Sequence, residues 1–93
     1  LDAIMCANDE TALGAITAVR QELDLRVPED VAITGFDDLR MSDWSNFRLT
    51  TARNPVEETV AAIVRLLSER LENHNKVGET VLLDADIVKR ETH

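Results

Sequence analysis

Two short apolar segments on either side of an amphipathic stretch constrain the fold of this chain more than any other feature. Ala3 to Ala7 is a continuous apolar run, typical of a strand buried on both faces of a sheet. Val31 to Gly35 is a second such run, and Pro28 ends the helical stretch between them. That stretch carries apolar residues at helical spacing, namely Ala12, Leu13, Ile16, Val19 and Leu23, and it is expected to end near Asp24. The pattern predicts a β-α-β unit with a right-handed crossover.

The second half of the chain repeats this alternation. Leu49 to Ala52 predicts a third extended segment, and Pro55 opens a long helix at its first turn, with Asn54 as its N-cap. Thr80 to Leu83 and Asp86 to Lys89 predict two short strands or one interrupted strand. The long helix carries the most regular apolar stripe of the chain, at Val56, Val60, Ile63, Val64, Leu67 and Leu71. The order of elements predicts an α/β fold with a largely parallel sheet.

Composition and the ends of the chain narrow the function classes. The formal net charge of -8 argues against nucleic-acid binding by this chain alone, because phosphate neutralisation needs patches of Lys and Arg. Cys6 is the only cysteine, which excludes an internal disulfide and fits a reducing compartment. The sequence contains no run of about 18 apolar residues, so it predicts no membrane span. Leu1 begins almost directly in a strand without a charged leader, so we expect no signal peptide within this chain and interpret it as a piece of a longer protein.

Asn8 and Asp37 each follow a predicted strand at its carboxyl end, where open α/β sheets bind ligands. An Asn side chain donates and accepts hydrogen bonds whereas an ionised Asp only accepts, so the pair suits the hydroxyls of a sugar or nucleoside. The alternative is structural: Asn8 caps the helix and Asp37 forms an Asx turn. Local chemistry alone favours this structural alternative. Trp44 and Phe47, in the loop after Asp37, fit sugar stacking and core packing equally well.

No catalytic, metal or cofactor motif competes with this pair. Asp37 and Asp38 are adjacent, so their side chains are expected to point in different directions, and no His lies nearby to complete a metal site. His74 lies in a polar turn and His93 is the terminal residue, and both are expected to be solvated. Cys6 has no His or Lys partner in sequence and is interpreted as a small core residue. We therefore predict no enzyme activity, no metal and no cofactor.

Five blocks of the sequence occur in a diagnostic order and spacing. They are Cys6 to Ala15, Leu25 to Val31, Gly35 to Asp38, Leu49 to Glu58, and Leu82-Leu83 with Val88 to Thr92. Together they resemble the effector-binding domain of the LacI/GalR family of bacterial transcription regulators. The resemblance implies a fold similar to periplasmic binding proteins of type I, in which ligand lies between two lobes. Residues 1–49 would then belong to the C-terminal lobe, 50–55 to an inter-lobe crossover, 56–73 to a helix on the N-terminal lobe, and 80–93 to a return strand and tail.

The resemblance also implies roles for individual residues. Asn8 and Asp37 fall on family positions that hydrogen-bond the effector, which is usually a sugar. Asn54 falls on a further cleft position where Gln is commoner, so its reach is shorter. Asp9 resembles a structural cap. The family's homodimer surface corresponds to Ala12, Leu13, Ala15, Ile16, Met41 and Trp44.

The implied function is transcription regulation of the repressor type by ligand-linked allostery. An effector in the cleft favours one arrangement of the lobes, and the dimer passes this change to an N-terminal helix-turn-helix head, outside this chain, that binds operator DNA in the cytoplasm. The alternative on the same fold is the sugar-binding receptor of an ABC transporter, which would carry a signal peptide instead of that head. The Val-Pro-Glu-Asp and Asn-Pro-Val-Glu-Glu stretches favour a regulator. Because a separated chain would leave apolar faces uncovered, we expect the 93 residues alone to be unstable or associated.

Overall fold

The computed structural model describes all 93 residues as four strands, two helices and a 3-10 turn. In chain order these are β1 (Ala3–Met5), α1 (Asp9–Gln21), β2 (Ala32–Phe36), the 3-10 turn (Arg40–Asp43), β3 (Thr50–Arg53), α2 (Val56–Glu72) and β4 (Asp86–Val88). The predicted α/β class and order of elements are confirmed. The chain forms two compact units, a sheet unit (Leu1–Asn54 with Asp86–His93) and a helical unit (Pro55–Ala85).

The sheet unit contains one four-stranded sheet in the order β1-β2-β3-β4. β1 pairs in parallel with β2, and β2 pairs in parallel with β3, with Thr34 opposite Thr50. β4 pairs antiparallel with β3, with Ala52 opposite Ile87. The largely parallel sheet predicted from the sequence is confirmed. Since β1, β2 and β3 run the same way, the residues that follow them emerge at one edge.

The core of the sheet unit lies between α1 and one face of the sheet. It consists of Ala12, Leu13, Ile16, Val19, Val27, Val31, Ile33 and Leu49. On the other face, Met5 is 88% exposed and Ile87 is 64% exposed. The prediction that β1 is buried on both faces is therefore wrong for this chain: Ile4 packs against the core while its neighbours Ala3 and Met5 lie in the open.

Helix α1 begins as the sequence predicts and ends earlier. The Asn8 side chain accepts a hydrogen bond from the Thr11 backbone N–H at 2.9 Å, which makes Asn8 the N-cap. The helix ends at Gln21, so Leu23 falls outside the helix and is exposed rather than part of its buried stripe. Asp24 follows in the left-handed region, with φ of 53°. The change of backbone direction removes Leu23 from the face that packs on the sheet.

The helical unit differs from the sequence prediction at two points. Pro55, not Asn54, is the N-cap of α2, and the Asn54 side chain makes a contact inside the sheet unit instead. Residues 80 to 83 form no strand, because they have no pairing partner, and Leu82 is 91% exposed. Within the unit, Arg65 binds Glu69 and Glu79, and Lys76 binds Glu69. Neither helix has the length and apolar character needed to cross a membrane.

Candidate effector site

Three polar residues gather at the carboxyl ends of the parallel strands. Asp37 directly follows β2, Asn54 directly follows β3, and Asn8 lies between β1 and α1. The Asn54 side-chain amide donates a hydrogen bond of 2.9 Å to Asp37 Oδ1. This contact explains why Asn54 does not cap α2, since its side chain is already engaged with the neighbouring strand end. The edge thus presents one carboxylate and two amides.

The Asp37 carboxylate is held outward by an unusual backbone conformation. Asp37 has φ of 117° and Asp38 has φ of 56°, both in the region that favours glycine. Such conformations cost about 1–3 kcal/mol per residue and persist only where surrounding contacts impose them. The Asp37 N–H donates to the Ala52 carbonyl at 2.8 Å, and the Leu39 N–H, two residues further along the turn, donates to Asp9 at 2.8 Å. The Asp37 side chain bonds to Asn54 and to no backbone N–H of its own turn, so the Asx-turn alternative is wrong.

Asn8 can act as a helix cap and a ligand contact at the same time. Its Oδ1 accepts from the Thr11 N–H, whereas its Nδ2 group makes no hydrogen bond within the chain. The side chain is half-buried, so the free donor is held by the cap and still reaches the surface. The structural and ligand-binding interpretations of Asn8 are therefore compatible.

Asp9 has a different structural role from the helix cap that the sequence analysis assigned to it. It does not cap α1. It is the first helical residue and is fully buried. Its Oδ2 accepts from the Leu39 N–H and the Ser42 hydroxyl, and its Oδ1 accepts from the Thr51 hydroxyl. Asp9 therefore ties the start of α1 to β3 and to the loop that contains Asp37. An acidic residue in a first helical turn suggests only a favourable interaction with the helix dipole, and no local signal indicates partners 30 to 42 positions away.

Asp38 anchors the same loop from the opposite side. Its carboxylate accepts from Arg90 at 2.6 Å and from Arg53 at 2.7 Å, and the side chains of Asp38 and Arg90 are each only 10% exposed. Arg90 also donates to the Leu49 carbonyl at 2.8 Å and to Asp43 at 3.2 Å. Burial by itself would raise the pKa of Asp38, but the hydrogen bonds and charges of the two arginines outweigh burial and lower that pKa.

The lowered pKa of Asp38 predicts a loss of stability in acid. Its carboxylate stabilises the fold above the unfolded pKa, which is about 3.9, and this contribution disappears as pH falls through the lower folded pKa. In the intact protein we expect Asp38→Asn to flatten the pH dependence of the free energy of unfolding below about pH 4. Urea unfolding at a series of pH values measures this effect.

Asp30 provides the control for that measurement. Its hydrogen bonds from Arg26 lower its pKa to about 2, but the pair is exposed. Salt at about 1 M is therefore expected to remove most of the contribution of Asp30 and to leave much of that of Asp38. An equal salt response of Asp30→Asn and Asp38→Asn would contradict the assignment of Asp38 as a shielded anchor.

The residues predicted for the homodimer surface fall into a buried group and a group that is at least partly exposed. Ala12, Leu13 and Ile16 are buried against the sheet, so the part of the prediction that assigned them to a surface is corrected. Ala15 and Met41 are half-buried beside the core, and Trp44 is 54% exposed. Helical spacing identifies an apolar face without revealing whether it meets a sheet or a partner. Of the two aromatic residues in this loop, Phe47 packs on the core and Trp44 does not.

The polar edge at the carboxyl ends of the strands lies where open α/β sheets bind small molecules. The profile of the periplasmic binding protein-like domain matches residues 2–93, and the chain belongs to that family in the form found in LacI-family transcription regulators. It is 37% identical over 90 residues to an uncharacterised HTH-type regulator, YvdE, of Bacillus subtilis, covering 97% of this chain and 28% of the relative. It is 48% identical over 69 residues to the HTH-type regulator MalR of Streptomyces coelicolor, covering 74% and 20%.

Solved structures of transcription regulators support the same family assignment. The structure of a transcriptional regulator CelR–cellobiose complex matches with a TM-score of 0.91 at 29% identity, over 100% of this chain and 28% of that one. A sucrose-bound LacI-family regulator from Lactobacillus casei matches with a TM-score of 0.79 at 28% identity, over 99% and 33%. The chain thus spans about a fifth to a third of the length of these relatives. They are regulators rather than enzymes, and the transporter-receptor alternative is not favoured.

Proposed function

We propose that this chain forms part of the effector site of a ligand-responsive transcription repressor and that the effector is a sugar. The observation that carries the proposal is the convergence of Asn8, Asp37 and Asn54 on one edge of the sheet. Relatives solved with cellobiose, sucrose and glucose support a sugar as the ligand class.

Each of the three residues has a distinct task in this proposal. The Asp37 carboxylate accepts from two hydroxyls of the sugar, with Oδ2 wholly available and Oδ1 shared with Asn54. The Nδ2 group of Asn8 donates to a hydroxyl oxygen, because its Oδ1 is committed to the helix cap. Asn54 orients Asp37 and offers its own carbonyl oxygen as an acceptor. A neutral polyol fits this set better than an anion, because Arg53, the cation at the end of β3, is bonded to Asp38.

The remaining parts of the proposal concern the whole protein. Residues 1–49 and the return strand would belong to one lobe, and 56–73 would pack on the other, so a bound sugar would favour one arrangement of the lobes. A homodimer formed through Ala15, Met41 and Trp44 would pass this change to a helix-turn-helix head that binds operator DNA in the cytoplasm. No enzyme activity, metal or cofactor is part of this function.

The test uses the intact protein and calorimetric titration with cellobiose, sucrose, glucose and ribose. We expect one of these to bind and to change the affinity for the protein's own promoter DNA by roughly 5–150-fold, the usual range of allosteric coupling. Tight sugar binding without any DNA affinity would favour a transport receptor. Conversion of a sugar to product would favour an enzyme.

A further inference from the structure

The backbone conformation of the turn that carries Asp37 is unfavourable by itself, and contacts with residues outside the turn stabilise it. Asp37 and Asp38 both occupy backbone regions that favour glycine, yet neither is glycine. Contacts from three separate parts of the sheet unit impose this conformation. Asp9 accepts from the Leu39 N–H, Asn54 donates to Asp37, and Arg90 and Arg53 both donate to Asp38. Of these residues, only Arg90 lies more than 50 positions away in sequence from the residue that it holds.

Arg90 is itself fixed by the segment that follows it. The Thr92 hydroxyl accepts from the Thr50 N–H at 2.9 Å, and the Thr92 carbonyl accepts from the Ile33 N–H at 2.7 Å. The Thr92 side chain is fully buried. The Arg90 N–H donates to the Thr50 hydroxyl at 2.8 Å. The backbone around Arg90 is therefore tied to β2 and β3 at points that do not depend on its guanidinium.

The Arg90 guanidinium contacts three separate positions of the sheet unit. It donates to Asp38 at 2.6 Å, to the Leu49 carbonyl at 2.8 Å and to Asp43 at 3.2 Å. A buried ion pair is weak evidence for net stability, because desolvation of both charges offsets most of their attraction. Its geometric effect is larger: five donors in a rigid fork fix the direction of the carboxylate that they bind.

We propose that Arg90 is a positioning residue for the effector site. By holding Asp38 in its left-handed conformation, Arg90 sets the direction in which the adjacent Asp37 presents its carboxylate to ligand. This inference rests on the proposed function for the role of Asp37, but the conformational part of it does not depend on any ligand.

The experiment is hydrogen exchange on the intact protein, comparing Arg90→Gln and Arg90→Lys with the natural chain. In Arg90→Gln we expect the amides of Asp37 and Leu39 to exchange at least about tenfold faster, while the amides of α1 remain unchanged. Arg90→Lys should give a smaller effect, because one ammonium group can reach Asp38 but cannot hold three acceptors in a plane. Arg26→Gln, which removes an exposed ion pair with Asp30, is the matched control and should leave both amides unchanged.

Two results would overturn the proposal: unchanged exchange at Asp37 and Leu39, or faster exchange throughout α1 as well, which would mark Arg90 as a general stabiliser. Cellobiose affinity, measured on the same variants, distinguishes the positioning role of Arg90 from the proposed effector contact of Asp37. If Arg90→Gln loosens the turn and weakens cellobiose binding, both the positioning role and the role of Asp37 are supported. If it loosens the turn while an established cellobiose affinity stays constant, Arg90 positions the turn, but the assignment of Asp37 as an effector contact fails.

Discussion

Replacement of Asp37 by alanine in the intact protein is expected to weaken effector binding by at least about 100-fold. Hydrogen bonds to a charged acceptor contribute about 1.5–3 kcal/mol each, and a carboxylate that accepts from two sugar hydroxyls loses both. Calorimetric titration of the variant with the sugar that binds the natural protein measures the loss. Gel filtration of the same sample should show an unchanged oligomeric state, because the Asp37 side chain makes its one hydrogen bond to Asn54.

A glycine at position 37 distinguishes the effect of losing the Asp37 side chain from the effect of the Asp37 backbone conformation. Because Asp37 has φ of 117°, Asp37→Gly relieves the conformation while removing the carboxylate. We expect this variant to be at least as stable as the natural protein in urea unfolding and to bind sugar as poorly as Asp37→Ala. Asp24→Gly, which removes an exposed carboxylate at another positive-φ position of the same unit, serves as the control. Full sugar affinity in either Asp37 variant would refute the site.

Gly35→Ala is expected to destabilise the protein by about 2–4 kcal/mol, the largest effect of the three Gly→Ala changes, because a Cβ at Gly14 or Gly78 meets nothing within 4 Å. Gly35 has no positive φ, so its requirement for glycine comes from space rather than from backbone freedom. A Cβ at this position would lie 2.4 Å from Asp9 Oδ1, 3.0 Å from Leu49 Cδ2 and 3.2 Å from Asp9 Cα. The Asp9 carboxylate would have to move and would release buried donors from Thr51 and the loop. Urea unfolding measures the change.

A double-mutant cycle tests whether the clash acts through Asp9. Asp9→Ala alone leaves the Leu39 N–H and the hydroxyls of Ser42 and Thr51 without their acceptor, at about 1–3 kcal/mol for each buried donor. If Gly35→Ala acts by displacing this carboxylate, the double variant should lose clearly less stability than the sum of the single variants. Gly14→Ala is the control, because a Cβ there meets nothing within 4 Å and lies in an exposed helical position. Strict additivity would show that the clash with the Asp9 backbone or Leu49 dominates.

The sequence predicted what short-range periodicity can encode. The strands β1 to β3, helix α1 and the cap at Asn8 followed from apolar spacing and from one side chain bonding three residues ahead. The family resemblance placed Ala12, Leu13 and Ile16 on a dimer surface, but they pack on the sheet, and helical spacing alone could not separate the core face of α1 from a partner surface. Likewise, a position before Pro55 suggested a cap at Asn54, whose side chain is engaged by Asp37 instead.

The part of the site that the sequence did not predict depends on contacts between residues far apart in the chain. Asp9 and Arg90 look like an ordinary helix-starting acid and an ordinary charged residue near the end of the sequence. Their importance comes from partners that lie 30 or more positions away, which no local pattern encodes. The gathering of Asn8, Asp37 and Asn54 at one edge was predictable because parallel strands place their carboxyl ends together, whereas the supports beneath that edge were not.

The dual use of Asn8 limits how this binding site can diversify. In the proposed site, the side chain that would offer a donor to ligand also closes the first turn of α1, and only Ser, Thr, Asp, Asn and Gly serve well at a helix N-cap. A lineage that acquires a new effector would therefore have few replacements at this position that retain the start of the helix. Asn54 carries no such restriction, since it caps no helix. Selection for new ligands should consequently leave more varied substitutions at the end of β3 than at the start of α1.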